Sequence, residues 1–151
     1  IDILLTTEDH VADGAEALAR LPLIWVGAQG GEIWKRRPLR IAFEDDCFFR
    51  KGVLRRLDRA GLPWELAIGG ESTRAVEVAV SADMAVYAMI EGAERRVFLE
   101  PVPHGGALPD LGEASVNMYV APRSPGPACD MLAGMIRQIY RQLSGPARAT
   151  A

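Results

Sequence analysis

Leu39-Arg40-Ile41-Ala42-Phe43-Glu44-Asp45-Asp46-Cys47-Phe48-Phe49-Arg50 is the stretch that decides the fold. Leu39 to Phe43 is a compact apolar run of strand length, and the acidic triplet behind it is a helix-opening signal. Asp45 and Asp46 are expected to cap a helix on which Val53, Leu54 and Leu57 recur at helical spacing. That helix should stop at Ala60-Gly61, with Pro63 just beyond as a breaker. Trp64 to Ile68 then alternates as a strand, and Gly69-Gly70 turns the chain. Ser72 or Thr73 caps a second helix, which carries Ala75, Val76, Ala79 and Val80 on one face. Strand, helix, strand, helix in this order predicts parallel pairing of the two strands.

Working outward, Ile1 to Thr6 reads as a strand buried in a sheet covered on both faces, interrupted only by Asp2. Thr7 to Gly14 is polar and turn-like, and Leu21 to Gly27 is a second buried strand. Gly30 to Pro38 is a loop with a short helical turn around Ile33 and Trp34. Met84 to Met89, Val97 to Leu99 and Ser115 to Val120 supply further strands, with a Pro- and Gly-rich loop from Pro101 to Gly112. An amphipathic helix from Ala128 to Leu143 carries Met131, Leu132, Met135, Ile136 and Ile139 on its apolar face, and Pro146 to Ala151 should fray. The pattern is α/β, with a mixed, largely parallel sheet flanked by helices. In such sheets ligands bind where strand ends meet helix N-termini.

Composition narrows the function classes. The 151 residues are 49% hydrophobic and 25% charged, suited to one domain or two small lobes. No apolar run approaches the roughly 18 residues of a membrane span, so no membrane partner is expected. The net charge of −3 argues against a polyanion-binding surface. The basic clusters Lys35-Arg36-Arg37 and Arg55-Arg56 have acidic neighbours and read as solvated surface. Cys47 and Cys129 lack metal-site spacing, so reduced thiols in the cytoplasm and no metal are expected. Ile1 is not an initiator methionine, and a start in mid-strand suggests that a segment upstream is missing.

Catalytic signals are thin. His10 adjoins Glu8 and Asp9 on a loop, where neighbouring side chains rarely converge, and it reads as a surface histidine. Pro103-His104-Gly105-Gly106 has the look of an oxyanion-hole stretch, but no G-x-S-x-G elbow accompanies it. Gly27 to Gly31 lacks both the G-x-G-x-x-G spacing and the GK[ST] of phosphate loops. Glu44-Asp45-Asp46 reads as capping. No enzyme and no cofactor is expected. Two helix starts, one at Cys47, Phe48 and Phe49 and one at Ser72 and Thr73, should lie at the same sheet edge, each just past a strand. Their N–H groups could hold a carboxylate or could be ordinary caps, and the residues alone leave both readings open.

Taken together, Phe43 to Arg50, Leu57-Asp58-Arg59-Ala60-Gly61-Leu62-Pro63-Trp64, Glu71-Ser72-Thr73, the helix end Ala79 to Ala82 and the strand at Ile1 to Thr6 resemble the effector-binding domain of LysR-type bacterial transcriptional regulators. That family shows F-x-x-x-C-x-[FY]-R, a helix ending in A-G and an aromatic opening the next strand. The resemblance runs from Ile1 to about Leu143. One departure is Ala82-Asp83-Met84-Ala85-Val86, where the family has A-G-L-G-[IV]. Another is Ala88-Met89-Ile90, where the family often places a proline.

The resemblance implies a fold of the type II periplasmic-binding-protein kind. Residues 1–22 and 115–144 would belong to a first lobe and 23–114 to a second, with 145–151 a disordered tail. A small-molecule effector would sit in the inter-lobe cleft, contacted by Cys47, Phe48, Phe49, Ser72 and Thr73 from the second lobe and by Thr6 and Thr7 from the first. The regulator would form a homodimer or homotetramer and read DNA only through an N-terminal winged helix-turn-helix absent from these residues. The alternative with the same architecture is the solute-binding protein of a transport system.

Overall fold

The computed structural model describes residues 1–8, 11–94, 98–121 and 126–143. The expected tail at 145–151 and His10 lie outside them, as does Val97 of the expected strand. The elements are β1 (Ile3–Glu8), β2 (Ala15–Gly27), a 3-10 turn (Ile33–Lys35), β3 (Leu39–Glu44), α1 (Arg50–Arg59), β4 (Trp64–Gly70), α2 (Thr73–Ser81), β5 (Tyr87–Ile90), β6 (Glu100–Pro101), β7 (Glu113–Val120) and α3 (Pro127–Leu143). They form two compact units, Ile1–Leu21 with Glu113–Ala151, and Pro22–Gly112.

The Pro22–Gly112 unit is built around β3. It pairs in parallel with β4, Leu39 opposite Trp64 and Glu44 opposite Gly70, with a register shift between Ile41 and Ala42. On its other side a parallel bridge joins Ile41 to Val86, where Ala42 N–H donates to the Val86 carbonyl (2.9 Å) and Val86 N–H to that of Arg40 (2.8 Å). β5 and β6 both pair antiparallel with β2. The order across the unit is therefore β4, β3, β5, β2, β6, a mixed sheet whose parallel part is β4–β3 and the bridge to Val86. A parallel strand with neighbours on both sides is covered on both faces, and Leu39, Ile41, Ala42 and Phe43 are all fully buried. Each large side chain among them contributes about 1.5–3 kcal/mol by burial.

The helices of this unit end by the same device. Gly61, at φ +63°, follows α1, and Leu62 N–H donates to the Leu57 carbonyl (3.1 Å) while Gly61 N–H donates to Asp58 (3.0 Å). This doubly bonded stop satisfies carbonyls that the helix leaves unpaired. After α2 the same pair of bonds runs from Met84 to Ala79 and from Asp83 to Val80, both 3.1 Å, but the left-handed position at φ +56° is held by Asp83. Here lies the physical sense of the departure from the family's glycine. The Asp83 carboxylate accepts from the amides of Glu32 (3.0 Å) and Ile33 (3.2 Å), tying the 3-10 turn to the end of α2. A Cβ at Gly31 would fall 2.5 Å from that carboxylate, so the aspartate at 83 demands a glycine at 31.

α1 corrects the expected cap. It starts at Arg50 with Phe49 as N-cap, and no side chain caps it. The Asp45 amide is taken by the Gly70 carbonyl (3.0 Å), and Cys47 N–H turns back to Glu44 (3.2 Å), so the chain makes a turn before the helix can begin. α2 is capped by Ser72, whose Oγ accepts from Ala75 N–H (3.3 Å).

In the other unit β1 pairs antiparallel with β7, Ile3 opposite Val120 and Glu8 opposite Ser115, and β7 neighbours β2. β1 was expected to be covered on both faces; it is an edge strand, with Leu4 and Leu5 exposed. It runs on to Glu8, and β2 begins at Ala15, so the polar turn is shorter than expected. On α3 the small residues Cys129 and Ala133 are buried, whereas Met131, Leu132, Met135 and Ile139 are each more than half exposed. Arg137 on α3 forms a forked pair with Glu16 on β2 at 2.8–2.9 Å, which holds the Glu16 carboxyl below its ordinary range.

Gly31→Ala is expected to cost about 1–3 kcal/mol in urea unfolding, as an overpacked position does. In an Asp83→Gly background the same change should cost at least about 0.5 kcal/mol less, since the clashing oxygen is gone. Equal costs in the two backgrounds would show that the carboxylate does not set the requirement at 31.

Candidate functional site

The parallel pairing of β3 and β4 releases the chain twice at one rim. Glu44 and Gly70 are partners at the carboxyl ends of the two strands, and the bond from Asp45 N–H to the Gly70 carbonyl (3.0 Å) joins the departing segments. Gly70, at φ +145°, takes a conformation that a side chain would resist. Beyond this junction Cys47, Phe48 and Phe49 form the turn into α1, and Ser72 and Thr73 open α2. Five of the seven expected site residues thus leave the sheet at one edge of one unit.

Their side chains differ in what they offer. Phe49 is half-buried and packs on the core, while Phe48 is 48% exposed and is the apolar side chain available at the rim. Ser72 Oγ is engaged as the cap of α2, leaving the exposed Thr73 hydroxyl as the more accessible one. Asp45 and Arg50 form an ion pair at 3.5 Å, exposed on the Asp45 side and worth at most about 1 kcal/mol. No group of three metal-ligating side chains occurs among the described residues.

Behind the rim lies a polar pair that linear reading missed. The buried Tyr87 hydroxyl donates to the Glu44 carboxylate, at 2.8 and 3.0 Å from its two oxygens, and the Tyr87 ring meets Phe43 edge-on, with centroids 5.4 Å apart. Burial, then the neighbouring Glu44 carboxylate, pushes the Tyr87 hydroxyl well above its ordinary 10.0, so it remains a donor. Burial likewise raises the Cys47 thiol above 9.0, against the opposing hydrogen bonds of the Phe49 and Arg50 amides. Cys47 is therefore a neutral thiol at neutral pH.

Thr6 and Thr7 belong to the other unit. Thr6 stands opposite Asn117 on β7, and Thr7 opposite Val116. Strand alternation puts Thr6 on one face with Glu8, Ser115, Asn117 and Tyr119, and Thr7 on the apolar face with Val116 and Met118. On the polar face the Glu8 carboxylate accepts from Asn117 Nδ2 (2.9 Å) and the Tyr119 hydroxyl (3.1 Å), and Ser115 Oγ donates to Asn117 Oδ1 (2.7 Å). Thr6 Oγ1 is buried with no hydrogen-bond partner among the described residues. A polar atom left so typically costs about 1–3 kcal/mol.

The raised thiol and hydroxyl set a pH dependence. Both hold their protons more tightly in the folded chain, so the unfolded chain releases its protons first as pH rises. Stability is thus intact below pH 9.0, the ordinary value for a thiol, and falls as pH climbs from there through the folded values. Tyr87→Phe should flatten the part of this fall above pH 10.0 in chemical unfolding followed against pH. An identical alkaline slope in the variant would contradict the assignment.

No protein-family model matches the chain. Solved structures do. The effector domain of the transcriptional regulator AmpR of Pseudomonas aeruginosa matches 95% of this chain and 73% of its own, at 13% identity and TM-score 0.62. The regulatory domain of CcmR from Synechocystis, in complex with 2-PG, matches 94% of this chain and 74% of its own, at 11% identity and TM-score 0.65. Full-length HypT of Salmonella typhimurium, a hypochlorite-specific LysR-type transcriptional regulator, matches 93% of this chain and 52% of its own, at 12% identity and TM-score 0.68. The chain thus spans about half the length of that full-length regulator and about three quarters of the isolated domains. At these identities the likeness is one of fold: the chain folds as the effector-binding domains of LysR-type transcriptional regulators do, in the type II periplasmic-binding-protein class.

Proposed function

We propose that this chain is the effector-sensing part of a LysR-type transcriptional regulator, and that a small molecule binds at the rim where β3 and β4 end. The observation that carries the reading is the Asp45–Gly70 bond, which gathers two helix starts at one sheet edge. Phe48 supplies an apolar contact, while the exposed Thr73 hydroxyl supplies a donor. Small-molecule sites combine apolar contacts with a few placed polar groups. The CcmR domain of the same fold binds a small molecule, 2-PG, which supports the class of ligand without naming the one bound here.

The regulator would act by population shift. An effector moves a two-state equilibrium only by its difference in affinity for the two states, and moving it from 1:99 to 99:1 takes about 5.5 kcal/mol. DNA reading would fall to a winged helix-turn-helix elsewhere in the whole protein, which would assemble as a dimer or tetramer. No helix among the described residues is long and apolar enough to cross a membrane.

Native mass spectrometry of the full-length protein from its source is expected to reveal a co-purifying small molecule. Calorimetry with that compound should then show affinity lowered about 5- to 30-fold by Phe48→Ala and by Thr73→Val, each removing about 1–2 kcal/mol of contact. Thr6→Val should leave the chain as stable as before or more so in chemical unfolding, because it deletes a buried hydroxyl with no partner among the described residues. Unchanged affinity in Phe48→Ala and Thr73→Val alike would rule out this site.

A further inference from the structure

A cavity lies in the Pro22–Gly112 unit, away from the rim. It is an open pocket of about 590 Å³ beside β2 and the loop from Pro101 to Gly112, with Leu23, Trp25, Val102 and Pro109 among its apolar walls and His104 and Asp110 as its polar groups. The strand order sets β5 and β2 between it and the ends of β3 and β4. Its volume falls in the usual range of ligand sites, roughly 300–1,000 Å³.

The pocket is built rather than incidental. The buried Trp25 donates from Nε1 to the Pro109 carbonyl (2.9 Å), pinning the loop to the strand. His104 Nδ1 accepts from two loop amides, Gly106 (3.2 Å) and Leu108 (3.3 Å). An imidazole nitrogen that accepts is unprotonated, so in the neutral ring the proton sits on Nε2. That leaves an N–H donor that meets no acceptor among the described residues. Across from this donor in chemical character, Asp110 uses Oδ1 to accept from Gly112 N–H (2.7 Å) and keeps its second oxygen as an acceptor. A prepared pocket of this kind spares a ligand the cost of ordering it.

We infer that this pocket is a second small-molecule site, separate from the effector rim, and that its ligand is a neutral phenol-class compound. The walls suit a flat apolar ring. One donor and one carboxylate acceptor suit a hydroxyl that accepts from His104 Nε2 and donates to Asp110. Asp110 lines the pocket and the Arg56 guanidinium, which stands at Gly112, does not, so the charge facing the ligand disfavours an anionic ring such as benzoate.

Phenol itself is the probe. Titrated into the ¹⁵N-labelled full-length protein, it should shift the Trp25 indole N–H and the amides of Gly106, Leu108 and Gly112 in a saturable way, and benzoate should bind at least about 5-fold more weakly. His104→Asn is the test variant: the Asn oxygen can still accept from the two loop amides, while the Nε2 donor is lost. Phenol affinity should then fall about 5- to 10-fold with the remaining spectrum unchanged. Asp110→Asn keeps the bond to Gly112 and removes the charge, and should weaken phenol while strengthening benzoate. Shifts that bypass these four signals, benzoate binding as tightly as phenol, or phenol binding undiminished in both variants would each overturn the assignment.

Discussion

The hydrogen bond from Asp45 N–H to the Gly70 carbonyl closes the parallel pairing of β3 and β4 at its carboxyl end, and the rest of the candidate site follows from it. Parallel strands must each be followed by a crossover, so the chain departs twice on the same side. With the two strand ends tied, the turn at Cys47–Phe49 and the start of α2 have no freedom to drift apart. The chain beyond it makes tight turns, Cys47 N–H to Glu44 and Arg50 N–H to Cys47, and α1 begins at Arg50 instead of behind Asp46.

Around this junction the fold trades local ideality for long-range ties. Asp83 occupies a left-handed position where glycine would be unstrained, and its carboxylate gains two amides from the turn at Glu32 and Ile33. Glu44, at the end of β3, takes the hydroxyl of the buried Tyr87 from β5. Each tie bridges segments that are roughly 40 to 50 residues apart in sequence and that the sheet brings together. Both lie on elements flanking β3, whose fully buried face leaves little room for adjustment.

Much of this was legible in the order of residues. The strand at Leu39, the break at Gly61, the Ser72 cap and the helical face of Val76, Ala79 and Val80 are local signals, and local hydrogen bonding and burial obey them; Gly69 and Gly70, expected to turn the chain, instead complete β4 opposite Phe43 and Glu44, and Ala75 stays exposed. What was not legible depended on partners distant in sequence. Nothing near Glu44 announces Tyr87, and nothing near Asp45 announces that its amide would be claimed by Gly70. β1 looked doubly covered because an apolar run signals burial without saying how many neighbours provide it; among the described residues β7 is its one partner, and Leu4 and Leu5 stay exposed. α3 showed the reverse ambiguity: periodicity located the stripe of Met131, Met135 and Ile139, yet the buried contacts are Cys129 and Ala133. Of the two threonines singled out on β1, strand alternation gives only Thr6 polar surroundings, a distinction that requires the register with β7.

The most direct test of an effector rim is amide hydrogen exchange on the full-length protein, with and without the small molecule that co-purifies with it. The rim site requires slowed exchange in two short segments together, residues 45–52 and 70–76, with the core strand β3 unchanged. Protection confined to one of those segments, or found elsewhere while both exchange as before, would contradict a binding site made where the two parallel strands end.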